Sequence, residues 1–229
     1  MIVDVPLKIK YDFQMTRFKR NQVEEAVSRT IDPIEISSPA EQRTRMNRLL
    51  QLDRSLGRSL ESDDPEKRNY AFFSADAPGR GGEVLFSEYE AFALLTGLRM
   101  LGNGMPQSLA VSALRRVRSE LEINHRDILA LDHDKLFDEK AILSAAKEGD
   151  IAVDNTNPFF LVFVSGVAGR RKDEIIGCAV RQGAHEAMKF AWERSSGFGG
   201  FTMFEIVTSA HVLRYRLGNT EPSGRGRGA

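Results

Sequence analysis

The stretch from Ser87 to Leu101 constrains the fold of this chain more than any other. Ser87-Glu-Tyr-Glu90 is a capping box: the serine side chain satisfies a backbone N–H at a helix start, and the glutamate three residues on reaches back to the serine N–H. Behind it Phe92, Leu94, Leu95, Leu98 and Leu101 surround most of the helix circumference instead of one stripe. A helix that is apolar on nearly every side has to lie inside the protein. Gly102-Asn-Gly104 ends it, and Met105-Pro-Gln-Ser108 starts a second helix with Leu114, Val117 and Leu121 inward and Arg115 and Arg116 outward.

Two amphipathic helices precede this pair. Phe18 to Ile31 places Val23, Val27 and Ile31 on one face, and Asp32-Pro33 ends the run because proline disfavours helical geometry in the residue before it. Ser38-Pro-Ala-Glu41 supplies an N-cap, a proline at the first position and a glutamate at the third. The helix it opens runs from Pro39 to about Leu56, buries Met46, Leu49, Leu50 and Leu56, and stops at Gly57. Val5 to Phe13 reads as a short strand, Glu61 to Lys67 as a loop, and Tyr70-Ala-Phe-Phe73 as a short buried strand or helical turn. Pro78 to Gly82 is a tight turn, and Glu83 to Phe86 a short strand completing a hairpin-like unit.

After an acidic region from Glu120 to Asp154, with two short helical patterns and a solvated surface, the period changes. Asn157 to Ser165 is a continuous apolar run of strand length, expected to pair with Ile175 to Val180 across the turn at Gly169 to Asp173. Ala184 to Arg194 reads as a helix burying Met188 and Trp192, broken by Gly197 to Gly200. Phe201 to Ile206 is strand-like, and Val207 to Leu217 is helical with Val212 and Leu213 inward. The tail, Gly224 to Gly228, has a disordered composition. These patterns predict an α+β, predominantly helical protein: a winged-helix-like domain over residues 1–121, an acidic connection over 122–154, a small α+β domain over 155–218 and a tail over 219–229.

Chemistry-bearing patterns are sparse. Cys178 is the one cysteine, which excludes an internal disulfide and a zinc site of several thiolates, and it reads as a small buried apolar residue. His125 and His133 sit beside aspartates without the i, i+4 pairing of a helical metal site, so they are read as part of a solvated acidic loop. Gly79 to Gly82 and Gly166 to Gly169 match neither a P-loop nor a dinucleotide fingerprint, and no nucleophile elbow is present. The expectation is a protein that is not an enzyme and needs no metal or cofactor. No run of about 18 apolar residues and no signal-peptide core occur, so a cytoplasmic protein without a membrane partner is expected.

Lysine plus arginine, 32, balances aspartate plus glutamate, 32, so attraction to DNA would have to come from a local patch. The second helix offers one. Arg43, Arg45, Arg48, Arg54 and Arg58, with Asn47 and Gln51, can supply phosphate contacts and base-edge donors. At about 100° per residue, Arg43, Asn47 and Arg54 cluster beside the leucine stripe, Arg58 joins them if the last turn continues, and Lys19 and Arg20 open the first helix in the same half. The plain alternative is a solvated helix surface with local pairs to Glu41 and Asp53.

Taken in order, Tyr70-Ala-Phe-Phe73, the glycine turn around Arg80, Phe86-Ser-Glu88, the leucine-rich helix and Gly104-Met-Pro-Gln-Ser108 with its following helix resemble one arrangement. Over about residues 70–121 it is similar to the wing and following helix pair of MerR-type regulators. Glu83 stands where that family's wing tends to carry a basic residue, the connection between the first two helices is long, and no long C-terminal dimerisation helix follows. The resemblance implies a DNA-binding transcription regulator: the first two helices form a helix-turn-helix, the second lies in the major groove, and the loop around Arg80 reaches the backbone or minor groove. Its DNA contacts would be Lys19, Arg20, Arg43, Asn47, Arg54, Arg58 and Arg80, and a homodimer is implied because operators are read by symmetric pairs. The competing reading is a non-enzymatic protein-interaction adaptor or dimeric scaffold with a protein partner.

Overall fold

The computed structural model describes residues 16–32, 38–77, 83–145, 153–166, 174–195 and 200–222. The element order is β1 (Phe18–Lys19), α1 (Arg20–Ile31), α2 (Pro39–Ser55), α3 (Pro65–Arg68), β2 (Leu85–Phe86), α4 (Glu88–Gly102), α5 (Gln107–Leu129), α6 (His133–Leu136) and α7 (Glu139–Ala145), followed by β3 (Phe159–Ser165), β4 (Ile175–Gln182), α8 (Ala184–Ser195), β5 (Phe201–Glu205) and α9 (Val207–Gly218). The protein is α+β and predominantly helical. The strand at Val5 to Phe13, the turns at Pro78 to Gly82 and Gly169 to Asp173, most of the Gly197 to Gly200 break and the tail Gly224 to Gly228 lie outside the described residues.

Helix α4 is the central element, as its circumferential apolar pattern requires. The Ser87 hydroxyl accepts the Glu90 N–H at 3.1 Å, and the Glu90 carboxylate accepts the Ser87 N–H at 2.6 Å. Helices α1, α2, α5 and α9 all pack on it. The apolar surface of α4 and α5 is thus largely covered within one chain. The closest approach is at Gly97, where a Cβ would meet Phe72 ring carbons at 3.2 Å and Leu49 Cδ1 at 3.3 Å. Both neighbours are fully buried and cannot swing away. Gly97→Val is expected to destabilise the protein by about 1–3 kcal/mol through overpacking, read as a lower urea midpoint with an unchanged slope.

The sheet has the order β4-β3-β5, and both pairings are antiparallel, with Leu161 opposite Val180 on one side and Phe204 on the other. Strand β3 is buried on both faces, which explains its continuous apolar run. Leu161 and Phe163 join the main core, while Phe160, Val162 and Val164 pack with Ala187, Phe190 and Ala191 of α8. The core does not divide at residue 121: Leu114, Leu121, Ile128, Leu161, Phe163, Val207 and Leu213 belong to one cluster, and α9 packs on α1.

Several expectations change. Phe18 and Lys19 form a strand, not a helical turn, and their antiparallel partner is β2, with Phe18 opposite Phe86 and Lys19 opposite Leu85. Tyr70 to Phe73 is buried but is neither strand nor helix. Arg115, expected outward, is 3% exposed. On α8 the buried residues are Ala187, Phe190 and Ala191, whereas Met188 and Trp192 are 40% and 71% exposed. The small alanines let the helix sit close to the sheet, so the largest apolar residues do not mark the inner face. Ile31 and Leu56 are also exposed, because they lie at helix ends beyond the core, and Val212 is only half-buried beside buried Leu213. Among the described residues no helix is long and apolar enough to cross a membrane.

Candidate nucleic-acid interface

Helix α2 is capped as its sequence dictates, with the Ser38 hydroxyl accepting the Glu41 N–H at 3.2 Å, and Gly57 beyond its end adopts φ +62°. Its inner face is Gln42, Met46, Leu49, Leu50 and Asp53. Opposite them stand Thr44, Arg48, Gln51 and Ser55, all exposed, with exposed Arg43 and Arg45 on the two flanks. The backbone carbonyl of Arg48 accepts a hydrogen bond from Gln107 Nε2 at 2.6 Å, which ties the α5 start to α2. The guanidinium of Arg48 itself has no polar partner among the described residues. Arg45 pairs one turn back with Glu41 at 2.6 Å, an exposed contact that another anion can replace.

The arginines beside the leucine stripe are held differently. At about 100° per residue, Arg43, Asn47 and Arg54 fall on the boundary between the inner and outer faces, where neighbouring elements reach them. Arg20 donates to Glu24 at 2.8 Å and also to Asn47, and Arg43 donates to the same Glu24 at 3.0 Å, so these residues knot α1 to α2. Lys19 lies 3.8 Å from Glu83. Arg54 stacks 3.6 Å from the Phe73 ring centroid and donates to the Ala75 carbonyl at 2.7 Å. Arg58 binds both Asp76 carboxylate oxygens, at 3.1 and 3.2 Å. Arg80 lies outside the described residues.

Arg54 and Arg58 thus belong to a second constellation, built around residues 69–76. The centre of this segment, Tyr70 to Phe73, is buried without regular structure, so side chains must satisfy its backbone groups. Asp53, fully buried, accepts the Ala71 and Phe72 N–H groups at 3.0 Å each and the Arg115 Nε–H at 2.7 Å. Arg115 also donates to the Asp53 carbonyl at 2.5 Å. Arg118 donates to the Tyr70 carbonyl at 2.8 Å and to the Ser74 hydroxyl at 3.1 Å, while Glu90 accepts the Ser74 N–H at 2.5 Å. Charged side chains of α2, α4 and α5 therefore fix the path of residues 69–76.

The chain matches no family model, no curated protein and no solved structure.

The sequence pattern points to the boundary arginines as the principal contacts, and Arg45 and Arg48 are not among them. The signal that separates them is angular: Arg48 lies nearly opposite the buried stripe, Arg54 almost beside it. The Asp53–Arg115–Arg118 network had no sequence signal, since its members are distant in the chain and look like ordinary helix-surface charges.

Among the described residues no group of three or more histidine, cysteine, aspartate or glutamate side chains could hold a metal ion. His125, expected on a solvated acidic surface, is buried on α5, stacked on Phe92 at 4.5 Å and edge-on to Tyr89 at 5.9 Å, and its Nε2 has no hydrogen-bond partner. Burial, with Arg214 and His211 nearby, pushes its pKa down from 6.5 to about 3. His211 goes down to about 4, chiefly through burial. In the unfolded chain both take protons near 6.5 while the folded state refuses them. Their neutral forms therefore support the fold fully above that pH, and stability falls from there toward about pH 4 for His211 and about pH 3 for His125, by up to about 1.4 kcal/mol per pH unit for His125 alone. Melting points at pH 7 and 5 should show the drop, and His125→Phe should flatten it. An unchanged pH profile in that variant would contradict the assignment.

Proposed function

We propose that this protein is a DNA-binding transcription regulator that lays α2 in the major groove. The observation that carries the reading is the outward face of α2, where Thr44, Arg48 and Gln51 are exposed at the centre and Arg43 and Arg45 flank them. Arginine there can take phosphates or guanine edges, and glutamine can take adenine. The β1–β2 pair supports a winged-helix-like arrangement similar to MerR-type regulators, because it brings Leu85 and Phe86 beside the start of α1. Lys19, Arg20 and Asn47 stand at the rim, and Arg54 and Arg58 act from behind by holding residues 70–76. The regulator works in the cytoplasm as a homodimer reading two half-sites.

Selection from a pool of random duplexes tests this reading. Enrichment of one motif, bound at least about 1,000-fold more tightly than random duplex, is the expected result, with affinity falling steeply as salt rises. No enrichment, or binding indifferent to sequence, would overturn it. The adaptor reading has its own observation, the exposed Met188 and Trp192 one turn apart on α8, and it moves ahead in that event.

A further inference from the structure

Among the described residues β4 pairs with β3 alone, so its other edge has no strand neighbour. A cleft of about 320 Å³ opens along residues 176–179 of that strand, walled by α5 on one side and α8 on the other. Three arginines line it, Arg116 from α5, Arg181 from β4 and Arg194 from α8, against the single acid Glu120. The backbone of β4 already accepts side-chain donors: the Ile175 carbonyl takes Arg116 Nη1 at 2.7 Å, and the Val180 carbonyl takes Arg181 Nη1 at 2.6 Å.

We propose that this edge is a docking groove for an extended acidic segment of a partner protein, which displaces Arg116 and Arg181 from the Ile175 and Val180 carbonyls, adds a strand beside β4 and directs its acidic side chains to the arginines. Main-chain hydrogen bonds along the edge supply affinity, and alternate side chains supply specificity. Arg116 pairs with Glu66 at 2.7 Å and Arg181 with Glu120 at 3.0 Å, but these pairs are solvent-accessible and exchange readily for a carboxylate of the partner. Arg194 has no acidic partner among the described residues, and its guanidinium lies 5.7 Å from the Phe190 ring centroid, with that of Arg181 over the same ring at 4.5 Å. The charge also decides against a second copy of the chain, since pairing β4 with β4 would set the same arginines against one another. Cys178 contributes a neutral floor: its thiol donates to the Ala113 carbonyl at 3.4 Å, and burial pushes its pKa up to about 12.

The test uses the full chain, isotopically labelled, and a capped peptide of about eight residues, the length of β4, with alternating glutamate and valine. Binding is expected to shift the backbone amides of residues 176–181. It should weaken at least about tenfold when lysine replaces glutamate, when alternate peptide amides are N-methylated, and in the double variant Arg181→Glu, Arg194→Glu with its melting point preserved. Shifts confined to α2, equal binding by the N-methylated peptide, or no binding would each overturn the proposal. In the last case the arginines only guard the edge against strand pairing.

Discussion

Asp53→Ala is expected to lower the unfolding free energy by about 3–5 kcal/mol, equivalent to roughly 6–20 °C in melting temperature for a chain of this size. Asp53 is fully buried and faces Arg115, which is 3% exposed. Removing the carboxylate leaves that guanidinium charged and desolvated, and it orphans the N–H groups of Ala71 and Phe72. Replacing a whole buried ion pair by apolar residues is often harmless. Here it is not, because the two N–H groups remain without an acceptor, so Asp53→Leu combined with Arg115→Met should still lose stability. Asp53→Asn keeps one acceptor and should fall between the two. Urea unfolding measures all three, and a loss below about 1 kcal/mol for Asp53→Ala, the size of one ordinary hydrogen bond, would contradict this account of residues 69–76.

The double variant Arg45→Glu, Arg48→Glu is expected to lose at least about 100-fold in affinity for the selected duplex, some 2.7 kcal/mol, while its melting point stays within a few degrees. Both side chains stand on the outer face of α2, and among the described residues the one polar side-chain contact at stake is the exposed Arg45–Glu41 pair. If both arginines touch phosphates, the salt slope should drop by about two units, one per lost contact. If Arg48 reads a base edge, the loss concentrates at one operator position, about 1–3 kcal/mol there. Arg54→Ala and Arg58→Ala should behave in the opposite way. They release Ala75 from α2 and Asp76 from the segment that follows it, so melting changes first and binding follows. A double glutamate variant that binds as well as wild type would remove α2 from the interface.

The local signals in this sequence read well. The capping box at Ser87, the N-cap at Ser38, the circumferential helix α4 and the doubly buried strand β3 are visible because neighbours in sequence are neighbours in space. What could not be read depends on partners far along the chain. Phe18 and Lys19 follow a helical pattern, yet they form a strand because Leu85 and Phe86 arrive beside them. Arg115 occupies an outward-looking position on an amphipathic helix and is buried because Asp53, 62 residues away, is waiting for it. Trp192 is exposed because the alanines of α8, and not its largest residue, face the sheet. The candidate interface divides in the same way. The basic helix was legible, but which arginines are free followed only from what surrounds each of them.

The most direct test of the central claim is crosslinking from the outward face of α2. A photoreactive amino acid placed at Thr44 or Gln51, one at a time, should give a covalent adduct with the selected duplex on illumination, and adduct formation should compete away with unlabelled specific DNA. The same amino acid at Glu139, at the start of α7, should give none. Adducts from α2 that map to bases within the enriched motif are the predicted result. Absence of adducts at Thr44 and Gln51 from a protein that still binds the duplex would contradict it and place the interface elsewhere.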